Sequence, residues 1–520
     1  FIIASTKNSN NLYKTNNNLF NLKFLVTFYL FTFNTAINKN DFMSTQKTNW
    51  SQFGTLITVF FFWGFVAASN DILIPVFKKA FDLSQTQSQL VSFAFYVAYT
   101  VGSIIYMLIS KSIKQDITNK IGYKNGLIVG LIISALGTLL FYPAANMGSF
   151  GLMISGLFIV GLGFSLQQIV ANPLAIELGP PATGSQRLTL AGGINNFGTT
   201  IGPLIVAFAI FGSAESNTEA SIESVKTPYL ILGAVFILVA IMLKFSSLPA
   251  VTAVNTEDTE DKQPGHHRSS AFKYPQLVLG MIAIFLYVGV EVATAANLPA
   301  YMEKDLGFHT KDVAPYISLY WASLMIGRWG GAVEAFDVNA GAKKILRFLA
   351  PYLAFGVFLI VNAIARHDLA PFYIYGAIIL IMIAGDIASK GNPAKMLLIY
   401  SILGITALII GMTTTGMVSV YSFTSVGLFC STLWPCIFAL AINGLGKHTN
   451  QGSGYLIMMI MGGGVMSVAQ GALADATSIH ASYVIGVACF SYLVFYALRV
   501  SSILKSQGID LDKIAKGSGH

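Results

Sequence analysis

The sequence predicts an all-α polytopic membrane protein that crosses the bilayer fourteen times in two related halves. Three observations carry this. Only 10% of the 520 residues are charged and 54% are hydrophobic, with a mean hydropathy of +0.65; soluble domains carry roughly 25% charged residues. Apolar segments of about 20 residues, the length that crosses a hydrocarbon core, recur along almost the whole chain. A polar stretch, VTAVNTEDTEDKQPGHHRSS, divides that run in two.

Apolar windows and loop breakers place spans near 53–76, 87–110, 122–146, 149–177, 186–212 and 228–247 before the linker. After it they fall near 275–302, 313–336, 344–365, 371–389, 395–413, 417–443, 453–475 and 481–504. Basic residues set the orientation. With Met43 inside, the inner loops hold Lys111, Lys114, Lys124, Lys244, Lys343 and Lys390 among many others. The outer loops hold only Lys78, Lys79, Lys226, Lys304, Lys311 and Arg366. Both termini are therefore expected inside. The net charge of +8 sits in these short loops and does not point to nucleic acid. Cys430, Cys436 and Cys489 fall in apolar segments, where they read as buried thiols rather than a disulfide framework or metal site. Residues 1–42 precede the first Met and hold no apolar run long enough to span; they read as upstream translation or a disordered extension, with a targeting segment the alternative.

The halves resemble each other. GFVAASNDILIP in the first span is echoed by GVEVATAANLP in the seventh, and LGPPATGS after the fourth by LGKHTNQGS after the twelfth. Duplicated bundles are how many carriers are built, with the substrate site near the midplane between repeats. Polar groups inside the spans mark where that site is expected. Asp71 lies in an otherwise apolar helix, where a charge is costly and tends to mark a pathway or proton relay; a structural ion pair is the alternative. It shares a helical face with Gly64, Ala67 and Ala68. The fourth span aligns Gly161, Ser165, Gln168 and Asn172, and the fifth puts Asn195 and Thr199 among glycines. Amide and hydroxyl stripes suit a polyol, whose hydroxyls need donors and acceptors, though they also bond helices together. The seventh span places Tyr287, Glu291 and Thr294 together, and Arg328 in the eighth reads as a residue stabilising one conformation. Trp63 and Trp434 are either stacking platforms for a sugar face or core tryptophans. There is no P-loop pattern, no His/Glu zinc motif and no soluble catalytic domain, which leaves secondary transport rather than an enzyme.

The segments FFFWGFVAASNDILIPVFK, KIGYKNGLIVGLIISALGTLLFYPAA, QQIVANPLAIELGP, RLTLAGGINNFGTTIGP, YVGVEV, YWASLMIGRWGG and INGLGKHTNQGSG together resemble the L-fucose permease and glucose/galactose transporter family of the major facilitator superfamily. The resemblance runs from about 50 to 336 and from 395 to 505, and is nearer the glucose/galactose branch. It implies a major facilitator fold, two six-helix bundles working by alternating access. That family has twelve spans, so a two-helix hairpin, about 344–389, is expected as an insertion in the C-terminal half. The domain reading is then an extension at 1–42, an N-terminal bundle at 43–247, a cytoplasmic linker at 248–274, a C-terminal bundle at 275–505 and a cytoplasmic tail at 506–520.

The resemblance implies Asp71 as a proton-coupling carboxylate and Asn195 as a sugar contact. Gln168 stands where the permease has Glu, and Glu291 matches the glutamate of the second branch. The expected site is therefore Asp71 and Glu291 for the cation, and Asn70, Gln168, Asn172, Asn195, Asn297 and Trp434 for the sugar. Arg328, Gly122 and Lys124 are expected to set conformation. Asn119 replaces the Asp usual in the loop motif after the second span, and Leu174 the aromatic usual after Pro173. The implied function is uptake of a monosaccharide (hexose, 6-deoxyhexose or amino sugar) by cation symport. Protons are the expected coupling ion and sodium the alternative; no cofactor is expected. The expected setting is a monomer in a bacterial cytoplasmic membrane. Rival readings are a drug or metabolite efflux carrier and a non-transporting sensor or scaffold.

Overall fold

A computed structural model describes residues 48–113, 121–179, 184–211, 222–248, 270–333, 339–445, 448–509 and 511. The expected extension at 1–42, most of the linker and tail, and Asn119 lie outside the described residues. The N-terminal half holds α1 (Trp50–Phe81), α2 (Leu90–Ser112), α3 (Tyr123–Asn146), α4 (Phe150–Glu177), α5 (Gly184–Phe211) and α6 (Lys226–Phe245). The C-terminal half begins with α7 (Pro275–Leu306), α8 (Thr310–Ala332), α9 (Ala340–Ile364) and α10 (Tyr375–Ser389). It ends with α11 (Pro393–Thr413), α12 (Gly416–Ile442), α13 (Gly454–Ala476) and α14 (Val484–Ser506).

Local chemistry sets the helix ends. Asn49 opens α1 by accepting from the Gln52 amide at 3.1 Å, and Asn392 opens α11 by accepting from Ala394 and Lys395, with Pro393 at the first helical position. Gly307, in the left-handed region at φ 73°, closes α7.

Among the described residues thirteen helices are long and apolar enough to cross a membrane. The fourteenth expected span, α8, has the length, 23 residues, but not the apolarity. It carries Arg328 and the buried Ser318 and Ser323, and packs between α5 on one side and α9 and α12 on the other. A helix covered by protein does not need a lipid-facing stripe.

Small residues let helices approach until backbones touch, as lipid-embedded packing favours. In the N-terminal half a Cβ on Gly64 would sit 1.9 Å from the Asn195 carbonyl oxygen of α5, and one on Gly198 2.1 Å from that of Phe61. The equivalent seam in the C-terminal half has Gly462 of α13 against the Phe285 carbonyl at 1.9 Å. Because backbone cannot step aside, Gly64→Ala is expected to cost more than about 3 kcal/mol. The check is thermal unfolding in detergent; a wild-type midpoint would show that α1 and α5 separate without cost.

The expected hairpin is α9 and α10. Arg347 binds Asp386 across it at 3.0 Å, and the Tyr352 hydroxyl donates to the Gly376 carbonyl at 3.1 Å. It is fastened to the bundle by Ser323 and Tyr375 hydroxyls 2.7 Å apart and by Tyr400 donating to the Met382 carbonyl at 3.0 Å.

The two halves run in parallel. The Gln52 side chain reaches the Ser247 carbonyl at 2.6 Å, and the Asn49 amide that of Leu178 at 2.9 Å. The start of α1 and the ends of α4 and α6 therefore share the face from which the linker leaves. Gln276 and Gln507 pair at 3.0 Å where it returns. The opposite, far face holds the ends of α1 and α7.

Candidate functional site

A cavity of about 390 Å³ lies between the halves. The N-terminal half lines it with Trp63, Tyr96, Tyr99, Gln168, Asn172 and Asn195. The C-terminal half adds Tyr287, Glu291, Trp321, Arg328 and Trp434. The lining continues through Leu188, Phe438 and Ile442 toward the linker face. Aromatic walls with a few amides, one carboxylate and one guanidinium can hold a small, neutral, hydroxyl-rich molecule.

Each polar group is positioned by its neighbours. The Gln168 amide donates to the Tyr99 hydroxyl at 3.4 Å, a long bond across the wall. Asn195 donates to the Phe60 carbonyl at 2.9 Å, leaving its carboxamide oxygen as an acceptor. Trp63 is oriented by its indole N–H on Gln167 at 3.0 Å, and Gln167 in turn donates to Ser134 at 3.1 Å. One carboxylate oxygen of Glu291 is buried without a hydrogen-bond partner, and Arg328 acts on that carboxylate electrostatically while donating to the Ser431 carbonyl at 3.2 Å. Trp434 stacks on Phe438 with centroids 4.9 Å apart.

The structure thus brings together Gln168, Asn172, Asn195, Glu291, Arg328 and Trp434. It puts three expected site residues elsewhere. Asp71, 3% exposed, is outside the lining and accepts from the Trp321 indole N–H at 2.8 Å. Asn70 is buried beside it with both amide atoms unpartnered. Asn297 belongs to the far-side seam: its oxygen accepts from Gln85 at 2.9 Å and its amide donates to the Ala293 carbonyl. Gly122 caps α3 at φ 77°, and Lys124 donates to the Ser246 carbonyl at 2.7 Å, both near the linker face. Tyr96, Tyr99, Gln167 and Trp321 were not among the expected site residues. The signal for the tyrosines was there, as they sit three apart in FYVAYT on one face of α2.

The far side is closed by bonds between halves. Asp475 of α13 accepts from the Gln85 amide at 3.0 Å, the Thr86 amide at 2.8 Å and the Thr86 hydroxyl at 2.6 Å. Further from the far face the halves are also bonded: Thr100, midway along α2, donates to the Met458 carbonyl near the start of α13 at 2.6 Å, and Ser318 of α8 donates to the Thr200 carbonyl at 2.6 Å. Asp475→Ala is expected to loosen this seam. A single cysteine at the buried Gln89 should then label several-fold faster with an impermeant thiol reagent; unchanged labelling would show that Asp475 does not hold the seam.

Two helical bundles enclosing a central cavity with a few polar groups, closed at one end and lined toward the other, define a membrane carrier. The chain belongs to the Major Facilitator Superfamily, whose family model matches residues 53–365. It is 33% identical over 471 residues to the glucose/galactose transporter of Brucella abortus biovar 1 (strain 9-941), covering 89% of this chain and 98% of that one. It is 27% identical over 463 residues to the L-fucose-proton symporter of Escherichia coli (strain K12), covering 86% and 92%. The crystal structure of the transporter FucP in the outward conformation matches with a TM-score of 0.56 at 26% identity, covering 86% of this chain and 98% of that one.

Proposed function

We propose that this protein imports a monosaccharide (a hexose, 6-deoxyhexose or amino sugar) by proton symport through alternating access. The observation that carries the reading is the cavity, with amide and carboxylate groups facing aromatic walls between two half-molecules. Its volume of about 390 Å³ lies within the roughly 300–1,000 Å³ of small-molecule sites. A pyranose presents hydroxyls at its rim and C–H groups on its faces. Gln168, Asn172, Asn195 and Glu291 meet the first, and Trp63 and Trp434 stack on the second. The similarity to proteins named glucose/galactose transporter and L-fucose-proton symporter supports both the sugar and the coupling ion.

In this reading the linker face is cytoplasmic, both termini lie there, and the membrane is a bacterial cytoplasmic membrane in which the monomer acts. Asp71 carries the proton. Protonation from outside favours the state open to the far side, sugar binds, the halves rock, and deprotonation inside resets the carrier. Cation and sugar must each favour the same state for this to accumulate substrate. No cofactor enters the cycle.

The test is uptake of a labelled monosaccharide panel into proteoliposomes under imposed proton or sodium gradients. Accumulation of at least one sugar driven by an inward proton gradient is expected. Accumulation driven only by sodium would replace the coupling ion, and no gradient-dependent uptake of any sugar would refute the reading.

A further inference from the structure

The carboxylate assigned to the proton and the cavity assigned to the sugar do not share a wall. Asp71 is buried behind the lining, so the sugar does not touch it in this state. One residue touches both. Trp321 lines the cavity, and its indole N–H donates to the Asp71 carboxylate at 2.8 Å. Asp71 belongs to α1 of the N-terminal half and Trp321 to α8 of the C-terminal half, 250 residues away. This bond therefore spans the two bodies that must move against each other.

The surroundings leave Asp71 dependent on that bond. Among the described residues no cationic side chain acts on it. The titratable groups facing it are Tyr96 of α2 and Tyr320 of α8, which also face Glu291 of α7. The packed helix α5 has no titratable side chain between Leu188 and Phe211. Trp321 itself is held: it is 3% exposed and packs edge-on to Tyr320 with centroids 5.5 Å apart. An indole fixed in this way reports on both neighbours.

We infer that Trp321 is the coupling relay between the cation carboxylate and the sugar cavity, a positioning residue that senses Asp71 through its N–H and the sugar through its ring. A hydrogen bond to an ionised carboxylate is roughly twice as strong as one to its neutral acid. Ionised Asp71 therefore ties α1 to α8 and holds the far side closed. Protonation adds the proton to the carboxylate, weakens the tie and frees the indole, which re-seats as α8 withdraws and changes the wall offered to the sugar. Sugar on the ring in turn alters how well the N–H reaches Asp71, as reciprocal linkage requires. The inference rests on the proposed sugar–proton symport.

The experiment uses the full-length protein in proteoliposomes with a sugar that the wild type transports. Trp321→Phe keeps an aromatic wall and removes the N–H. Gradient-driven accumulation is expected to fall about tenfold or more while exchange of labelled for unlabelled sugar persists at a reduced rate. The dependence of sugar affinity on pH, present in the wild type, is expected to disappear. Wild-type accumulation and an unchanged pH profile in Trp321→Phe would overturn the relay and leave the symport reading intact. Failure of the wild type to accumulate any sugar would overturn that reading, and the relay with it. Should Trp321→Phe not fold, wild-type protein labelled with 5-fluorotryptophan decides. One of its five tryptophan resonances must titrate with pH and respond to sugar, and must stop titrating in Asp71→Asn. Five resonances indifferent to pH would overturn the relay.

Discussion

Asp71→Asn is expected to abolish sugar accumulation under a proton gradient while retaining exchange at a lowered rate. Asparagine is nearly isosteric and keeps an oxygen that accepts from Trp321, so the packing around α1 and α8 survives. What it cannot do is take up and lose a proton. The ion gradient then has no group through which to act, and only substrate-driven exchange remains. Sugar counterflow should also become insensitive to pH between mildly acidic and mildly alkaline buffers. The measurement is the steady-state ratio of internal to external label. A wild-type ratio in the variant would remove Asp71 from the coupling mechanism and shift attention to Glu291, the carboxylate that lines the cavity itself.

The second large effect is expected at the far-side seam. Gly464 of α13 faces α2 so closely that a Cβ would lie 2.7 Å from the Phe93 Cα and 3.1 Å from its carbonyl oxygen. The obstructing atoms are backbone, which cannot rotate away. Gly471 repeats the approach two turns on, 3.0 Å from the Gln85 carbonyl oxygen. A bulky residue here should not disturb either half alone, since the contact lies between them. Gly464→Leu is therefore expected to stop the halves closing on the far side and to arrest the cycle there. Both accumulation and counterflow should be lost while sugar still binds from the far side, measured by titration calorimetry on purified protein. Normal counterflow would show that the seam opens and closes without bringing α2 and α13 into contact. Loss of binding as well would mean that the substitution had damaged a half rather than propped the two apart.

Much of the site was legible because a polar side chain in an apolar span stands out. Gln168, Asn172, Asn195, Glu291 and Arg328 were singled out on that ground, and all five line the cavity. The same rule also selected Asn297, which serves the far-side seam, and Asn70, which is buried beside Asp71. Residue type says that a group needs a partner; it does not say which partner. Gln167 shows the converse. It is adjacent to Gln168, but successive residues on a helix point about 100° apart, so one faces the cavity and the other holds Trp63 from behind. Trp321 carried no signal of its own, because tryptophan is ordinary in membrane helices. Asp475 sits at the end of α13, where an acidic residue reads as interfacial.

The count and length of the spans, the division into halves and the presence of costly carboxylates within them follow from the sequence by itself. Each depends on how one residue or one window of about 20 residues partitions between water and hydrocarbon. The two helices α9 and α10 were legible for the same reason, as two more apolar windows with basic residues at the returning ends. The placement that lets α8 tolerate its low apolarity was decided by tertiary structure, since packing against α5, α9 and α12 covers it. So was the convergence of particular side chains on one cavity, which depends on the rotation of every helix about its axis. The bonds that close the far side and the bond from Trp321 to Asp71 depend on how two bundles lean on each other. Neither bundle's sequence encodes that lean locally, because it is a balance of weak contacts between surfaces far apart in the chain.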